Sequence, residues 1–219
     1  MKIRRGRLPL FYAAIALALL HSQFLSSAVV TIPAGFDGIH AVYELLDYLP
    51  AFVPLVFFCA ATPWKSDRTS RLLRTVLLVG TVCHTLNYAR LLLWGNQHAW
   101  LQTGSLLAPA ALLLALRRWL KEQKQSFAPW QESPNNAVAS CDVLLGLLTL
   151  GLLSDGMWLL HPAFAPSDPA QFPYPTMFTL LVRGSIRLGG IAYRLWPAAV
   201  VILLVTLRRP IGYAMKKEE

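Results

Sequence analysis

Long apolar stretches separated by short polar connections run through the whole chain. A helix needs roughly 20 apolar residues to cross about 30 Å of hydrocarbon, because its backbone groups must be satisfied inside the segment. The stretches that approach this length are Leu8 to Val30, Ile39 to Thr62, Leu72 to Trp94, Ala99 to Leu116, Val138 to Leu160 and a last one ending at Leu207. The pattern predicts an all-α, polytopic integral membrane bundle of about six transmembrane helices.

The composition agrees with a membrane protein. Of 219 residues, 55% are apolar and only 14% are charged, whereas a soluble domain has about 25% charged residues. The mean hydropathy is +0.47. The three cysteines, Cys59, Cys83 and Cys141, lie singly in apolar runs, so we expect buried thiols rather than a disulfide framework or a zinc site.

The basic residues predict the orientation of the chain, since Lys and Arg collect at cytoplasmic flanks. Sixteen of the 20 Lys and Arg residues fall in the N-terminal segment, in alternate connections and in the tail. They are Lys2, Arg4, Arg5, Arg7, Lys65, Arg68, Arg71, Arg74, Arg117, Arg118, Lys121, Lys124, Arg208, Arg209, Lys216 and Lys217. We therefore expect a multi-pass protein of the inner (plasma) membrane with both termini in the cytoplasm. The net charge of +9 then reflects topology and contact with the bilayer, and we expect no nucleic-acid partner.

Two parts of this topology have alternatives. The first apolar stretch is preceded by basic residues and contains Ser26-Ser27-Ala28, so it could also be a cleaved signal peptide. The segment from Thr176 to Leu207 is too long for one upright span. We expect a break near Gly189-Gly190 that separates an outer interfacial helix from a final span, with a possible kink at Pro197. The alternative is that Thr176 to Leu207 forms one long helix.

The chain is expected to form a single transmembrane domain. Residues 1–120 would make a four-helix part and residues 137–219 a two-helix part with the outer interfacial helix. The polar, proline-containing stretch 121–136 would connect them in the cytoplasm.

The four remaining basic residues, Arg90, Arg183, Arg187 and Arg194, fall in the outer half of the predicted membrane. An ionised side chain at a helix centre costs about 2.5 to 3.5 kcal/mol on insertion scales, so such residues usually face a partner, a cavity or water. Helical periodicity places Arg183, Arg187 and Arg194 within roughly 40° on one face. We call these three residues the arginine stripe.

Acidic residues are expected at a similar depth. Asp37, His40, Glu44 and Asp47 recur with helical spacing in the second stretch, and Asp155 lies in the fifth. The predicted outer polar cluster contains Glu44, Asp47, Asn87, Arg90, Asp155, Arg183, Arg187 and Arg194. These residues could form structural salt bridges, line an outward-facing cavity for a substrate or peptide, or contact lipid headgroups.

The sequence predicts no metal and no cofactor. His40 and Glu44 could supply two metal ligands, which do not complete a site. His21 and His84 lie alone in separate stretches, so haem ligation is a remote alternative. There is no phosphate loop, nucleophile elbow or HExxH motif.

From Gly35 to Leu120 the order of motifs resembles the exosortase/archaeosortase family of membrane-embedded transpeptidases. Pro63-Trp64 is followed by Arg68 and Arg71, then Asn87-Tyr88-Ala89-Arg90 ends one stretch and His98 precedes the next. The resemblance implies that Arg90 stabilises an oxyanion and that His98 acts as acid and base. The family's nucleophilic cysteine is absent, however, because Val42 to Asp47 contains neither Cys nor Ser, and acyl-enzyme chemistry requires such a nucleophile.

These observations favour a non-enzymatic membrane component, such as a sorting or assembly accessory, that binds another membrane protein or a sorted peptide segment at the outer polar cluster. The alternatives are a transporter of a small charged solute and an exosortase-like transpeptidase or protease with an atypical nucleophile.

Overall fold

In the residues that it describes, a computed structural model of the chain contains helices joined by short turns and no strand. The described residues are 3–4, 6–27, 52–64, 67–94, 99–124, 132–164 and 177–216. Within these helices, the side chains of residues 21–27, 88, 91–94, 99–106, 124, 132–134, 155–164, 178–179, 182 and 213–216 are not described.

Each apolar stretch overlaps one described helix, and residues 39–51 of the second stretch lie outside the described residues. The described helices are α1 (Leu8–Ser27), α2 (Phe52–Ala61), α3 (Arg68–Trp94), α4 (Ala99–Lys124), α5 (Glu132–Phe164) and α6 (Met177–Lys216). Asp67 precedes α3 and is bound by the hydroxyl of Ser70 at 2.8 Å, an arrangement typical of a helix start. Pro134 lies in the first turn of α5, where proline leaves no helical hydrogen bond unmade.

Successive helices are antiparallel, so alternate connections meet at one end of the bundle. At this end the backbone N–H of Arg4 donates to the carbonyl of Ala61 at 2.9 Å, and Arg117 near the end of α4 pairs with Asp142 in α5. The described basic residues at this end are Arg4, Arg7, Arg68, Arg71, Arg74, Arg117, Arg118, Lys121, Arg208 and Arg209. We call it the basic end.

Helix α1 belongs to the core of the bundle and packs against α4 and α6. Its side chains Phe11, Ile15 and Leu19 are fully buried. The ring of Phe11 lies 5.9 Å from that of Phe58 in α2. Removal of α1 would therefore expose apolar surface of the neighbouring helices.

Among the described helices α5 and α6 share the most extensive contact, and they approach each other closely at Gly189. A Cβ atom added at Gly189 would lie 2.6 Å from both Cβ and Oγ of Ser154. Nearer the basic end the hydroxyl of Thr206 lies 3.3 Å from that of Ser140. Small residues let helix backbones approach closely in this way.

Helix α6 differs from the prediction at Gly189-Gly190. We expected a break there, but α6 is one helix of 40 residues from Met177 to Lys216, and Pro197 and Pro210 lie inside it. The predicted break was wrong because Gly189 serves as a packing site against α5. Glycine in a helix costs only about 1 kcal/mol relative to alanine, which close packing can offset.

Two of the described segments are long and apolar enough to cross a membrane, namely Asn135–Ser154 in α5 and Arg183–Gly212 in α6. Leu8–Leu20 and Phe52–Ala61 are shorter apolar helices.

Candidate functional site

Part of the predicted outer polar cluster lies outside the described residues. Glu44 and Asp47, together with Asp37 and His40, fall in the undescribed residues 28–51, and His98 falls in 95–98. Asp155 belongs to α5, but its side chain is not among those described. The predicted meeting of the acidic residues with the arginine stripe therefore stays a prediction.

Asn87 and Arg90 lie in the last two turns of α3, which packs mainly against α4. Asn87 is buried, with 7% of its surface exposed, and Arg90 is half-buried. Both residues interact with neighbours. A buried polar side chain of this kind is normally satisfied by such contacts, so Asn87 is well placed to hold the outer part of α3.

The arginine stripe lies on a different helix and faces away from the bundle. Ala192, Trp196, Leu203 and Leu207 mark the buried face of α6. At 100° per residue, Arg183, Arg187 and Arg194 point roughly 140° to 180° away from Trp196, and all three are exposed. The three arginines are thus exposed on the side of α6 opposite its buried residues.

The depths of these arginines follow from the helix geometry. At a rise of 1.5 Å per residue, Arg194 lies about 22 Å and Arg187 about 33 Å along α6 from Arg209 at the basic end. The exposed surface of α6 between Arg194 and the basic end is apolar and includes Leu195, Val201 and Val205.

A second polar arrangement, at the basic end, was not predicted from the sequence. The guanidinium of Arg74, only 9% exposed, donates to the carbonyls of Pro63 and Trp64 and lies 5.2 Å from the centre of the Trp64 ring. These carbonyls follow the C-terminus of α2, where the helix dipole favours a positive charge. Arg74 thereby ties the start of α3 to the end of α2.

Arg117 and Asp142 form a further ion pair that the sequence analysis missed. Nε of Arg117 donates to Oδ1 of Asp142 and Nη2 donates to Oδ2 at 3.2 Å. This hydrogen bonding raises the pKa of the Arg117 guanidinium above its ordinary value. Asp142 lies one turn inside the predicted fifth span, at the same end as the predicted basic flank that follows the fourth span. This placement could have predicted the ion pair from the sequence.

The same end carries a shallow basic groove of about 460 Å³. It is lined by Leu114, Arg117, Arg118, Lys121 and Glu122. Glu122 accepts a hydrogen bond from Arg118 at 3.0 Å, so two of the three cations in the groove already have carboxylate partners. Among the residues that the structure describes, no three His, Cys, Asp or Glu side chains come together to hold a metal ion.

The described chain is thus an all-helical bundle with one basic end, apolar exposed sides and an outward-facing arginine stripe. The chain matches no protein-family model, and no curated protein and no solved structure matches it.

Proposed function

We propose that the chain is a multi-pass protein of the inner (plasma) membrane, with about six transmembrane helices and both termini in the cytoplasm. The observation that carries this proposal is the distribution of exposed side chains. Large apolar residues are exposed along the sides of the bundle, including Leu78 and Val82 in α3, Val143 in α5 and Val205 in α6. Exposed apolar surface of this extent marks a membrane or a partner.

The charge distribution supports the orientation. The N-terminal segment, the connection after α2, the end of α4 and the end of α6 bring their arginines to the basic end. A positively charged end next to an apolar belt is typical of a cytoplasmic membrane flank.

We further propose that the protein acts as a non-enzymatic component that binds a partner or a substrate segment in the outer half of the membrane. The support is the arginine stripe, which combines three charges with exposed apolar neighbours such as Ile191 and Leu195. Arginines at this depth require a polar or anionic neighbour. Because the three side chains face away from the α5–α6 contact, this neighbour must come from outside that helix pair.

Site-specific photo-crosslinking in intact cells tests this binding proposal. A photoreactive residue at Ile191, which is 55% exposed, reports on the stripe, and one at Ile202, which is 56% exposed, is the matched control nearer the basic end. We expect a discrete adduct at position 191 that is lost in the Arg187→Gln/Arg194→Gln double variant, and none at 202. The same adducts at both positions, or adducts insensitive to the arginines, would contradict the proposal.

A sortase-type enzyme with an atypical nucleophile is the second candidate, and it depends on the Asn87-x-x-Arg90 motif in the outer part of α3. Separate replacement of Arg90 and His98 by Gln should then abolish processing of a tagged substrate while leaving protein abundance unchanged. Normal processing in both variants excludes the enzyme.

A further inference from the structure

Arg187 and Arg194 flank a notch on the exposed face of α6, and Gly190 forms its floor. Gly190 is exposed, and a Cβ atom added there would meet no atom within 4 Å. It lies about 4.5 Å along the axis from Arg187 and about 6 Å from Arg194, and roughly 60° and 40° away from them around the helix. The stripe therefore has a position without a side chain between the backbone positions of two arginines.

The direction of the helix carries both arginine side chains toward the outer end of α6. Side chains of an α-helix lean toward its N-terminus, and the N-terminus of α6 lies at the end opposite the basic end. Arg194 therefore leans outward, toward the level of Gly190. If the hydrocarbon region of about 30 Å begins near Arg209, Arg194 starts about 8 Å inside its outer boundary and Arg187 lies at the headgroup level.

From this geometry we infer that the notch binds the phosphate of an anionic phospholipid in the outer leaflet. The inference rests on the proposed membrane insertion and goes beyond the proposed partner binding, because it assigns the anion next to Arg187 and Arg194 to a lipid. Guanidinium groups bind phosphate oxygens through strong, often paired hydrogen bonds. The exposed apolar side chains of Ile191, Leu195 and Val201 continue from the notch toward the basic end, where they can pack against the acyl chains of the same lipid.

Charge complementarity selects this occupant. Two ion pairs in the described part of the chain join Arg117 to Asp142 and Arg118 to Glu122, and neither of these two involves α6. An arginine below the headgroups is stabilised by drawing a phosphate toward it. A lipid phosphate is the anion that this depth supplies, and its acyl chains match the apolar surface below.

Native mass spectrometry of the purified full chain in detergent tests the inference, with phosphatidylglycerol and phosphatidylcholine as paired lipids. We expect preferential retention of phosphatidylglycerol, weakened about tenfold or more by Arg187→Gln and by Arg194→Gln. Arg209→Gln, a charge change at the other end of α6, should leave retention unchanged. Equal retention of both lipids, or no effect of the two notch variants, overturns the inference.

A second pair of variants separates the notch from net charge alone. Gly190→Leu fills the notch without changing charge, and Gly146→Leu places the same side chain at an exposed position of α5 that also has no atom within 4 Å. Only Gly190→Leu should weaken retention. Equal effects of both variants overturn the inference, as does displacement of the lipid by inorganic phosphate or by an acidic peptide.

Membrane orientation is measured separately by cysteine labelling, so a wrong topology and a wrong ligand give different results.

Discussion

The indole Nε1 of Trp196 in α6 donates a hydrogen bond of 2.9 Å to the backbone carbonyl of Leu19 in α1. Both side chains are buried, and the two residues are 177 positions apart in sequence. The bond joins the first and last helices of the chain and marks the level at which they cross.

Replacement of Trp196 by Phe should destabilise the bundle, because the aromatic ring is largely kept while the donor is lost. We expect a loss of about 0.5 to 1.5 kcal/mol, measured as a lower apparent Tm in detergent. Leu195→Ala is the control, since Leu195 is 52% exposed on the same helix, and it should change the Tm less. An unchanged Tm in Trp196→Phe would contradict the bond.

The contact between Gly189 and Ser154 makes a prediction about helix spacing. Gly189→Ala should lower the free energy of unfolding by about 1 to 3 kcal/mol, because its Cβ overlaps Ser154 and the helices must separate. Gly190→Ala should not lower the free energy of unfolding, since a Cβ atom at position 190 meets no other atom within 4 Å. Adding Ser154→Gly to Gly189→Ala should recover stability. Thermal unfolding of these three variants and of Ser154→Gly alone measures the coupling, and the absence of any recovery would refute the close approach.

The buried contacts of Arg74 predict that replacing it costs more stability than replacing the neighbouring Arg71. Arg74→Gln removes the charged donor from the carbonyls of Pro63 and Trp64 and should cost about 1.5 to 3 kcal/mol. Arg71→Gln is the matched control, because Arg71 is exposed in the same turn of α3, and it should change stability by less than about 0.5 kcal/mol. Chemical unfolding of the two variants measures both values, and equal values would show that Arg74 does not join the two helices.

The packing of α1 predicts that the first helix stays on the chain. Phe11, Ile15 and Leu19 are fully buried against other helices, so cleavage after Ser27 would remove part of the core. A chain tagged at both ends should migrate as one species that carries both tags, and the same chain with a cleavable signal peptide fused in front should lose the N-terminal tag. Loss of the tag from the unfused chain would support the signal-peptide alternative.

The sequence predicted that the described part of the chain is all-helical, because its apolar stretches are long and its polar connections are short. It failed at Gly189, because glycine is compatible with a break as well as with a close helix contact, and only the position of Ser154 decides between them. It also missed Arg74, since the basic residues between the second and third apolar stretches look alike in sequence. The stripe was predictable from the spacing of Arg183, Arg187 and Arg194, whereas its direction away from α5 required the position of Trp196.

Cysteine labelling in intact cells tests the membrane orientation most directly. In a variant with Cys59, Cys83 and Cys141 replaced by Ala, single cysteines are placed at Arg183 and at Arg209, both of which are exposed on α6. A membrane-impermeant maleimide should label position 183 in intact cells and position 209 only after the membrane is opened. Labelling of position 209 in intact cells, or equal labelling of both positions, would contradict the proposed topology.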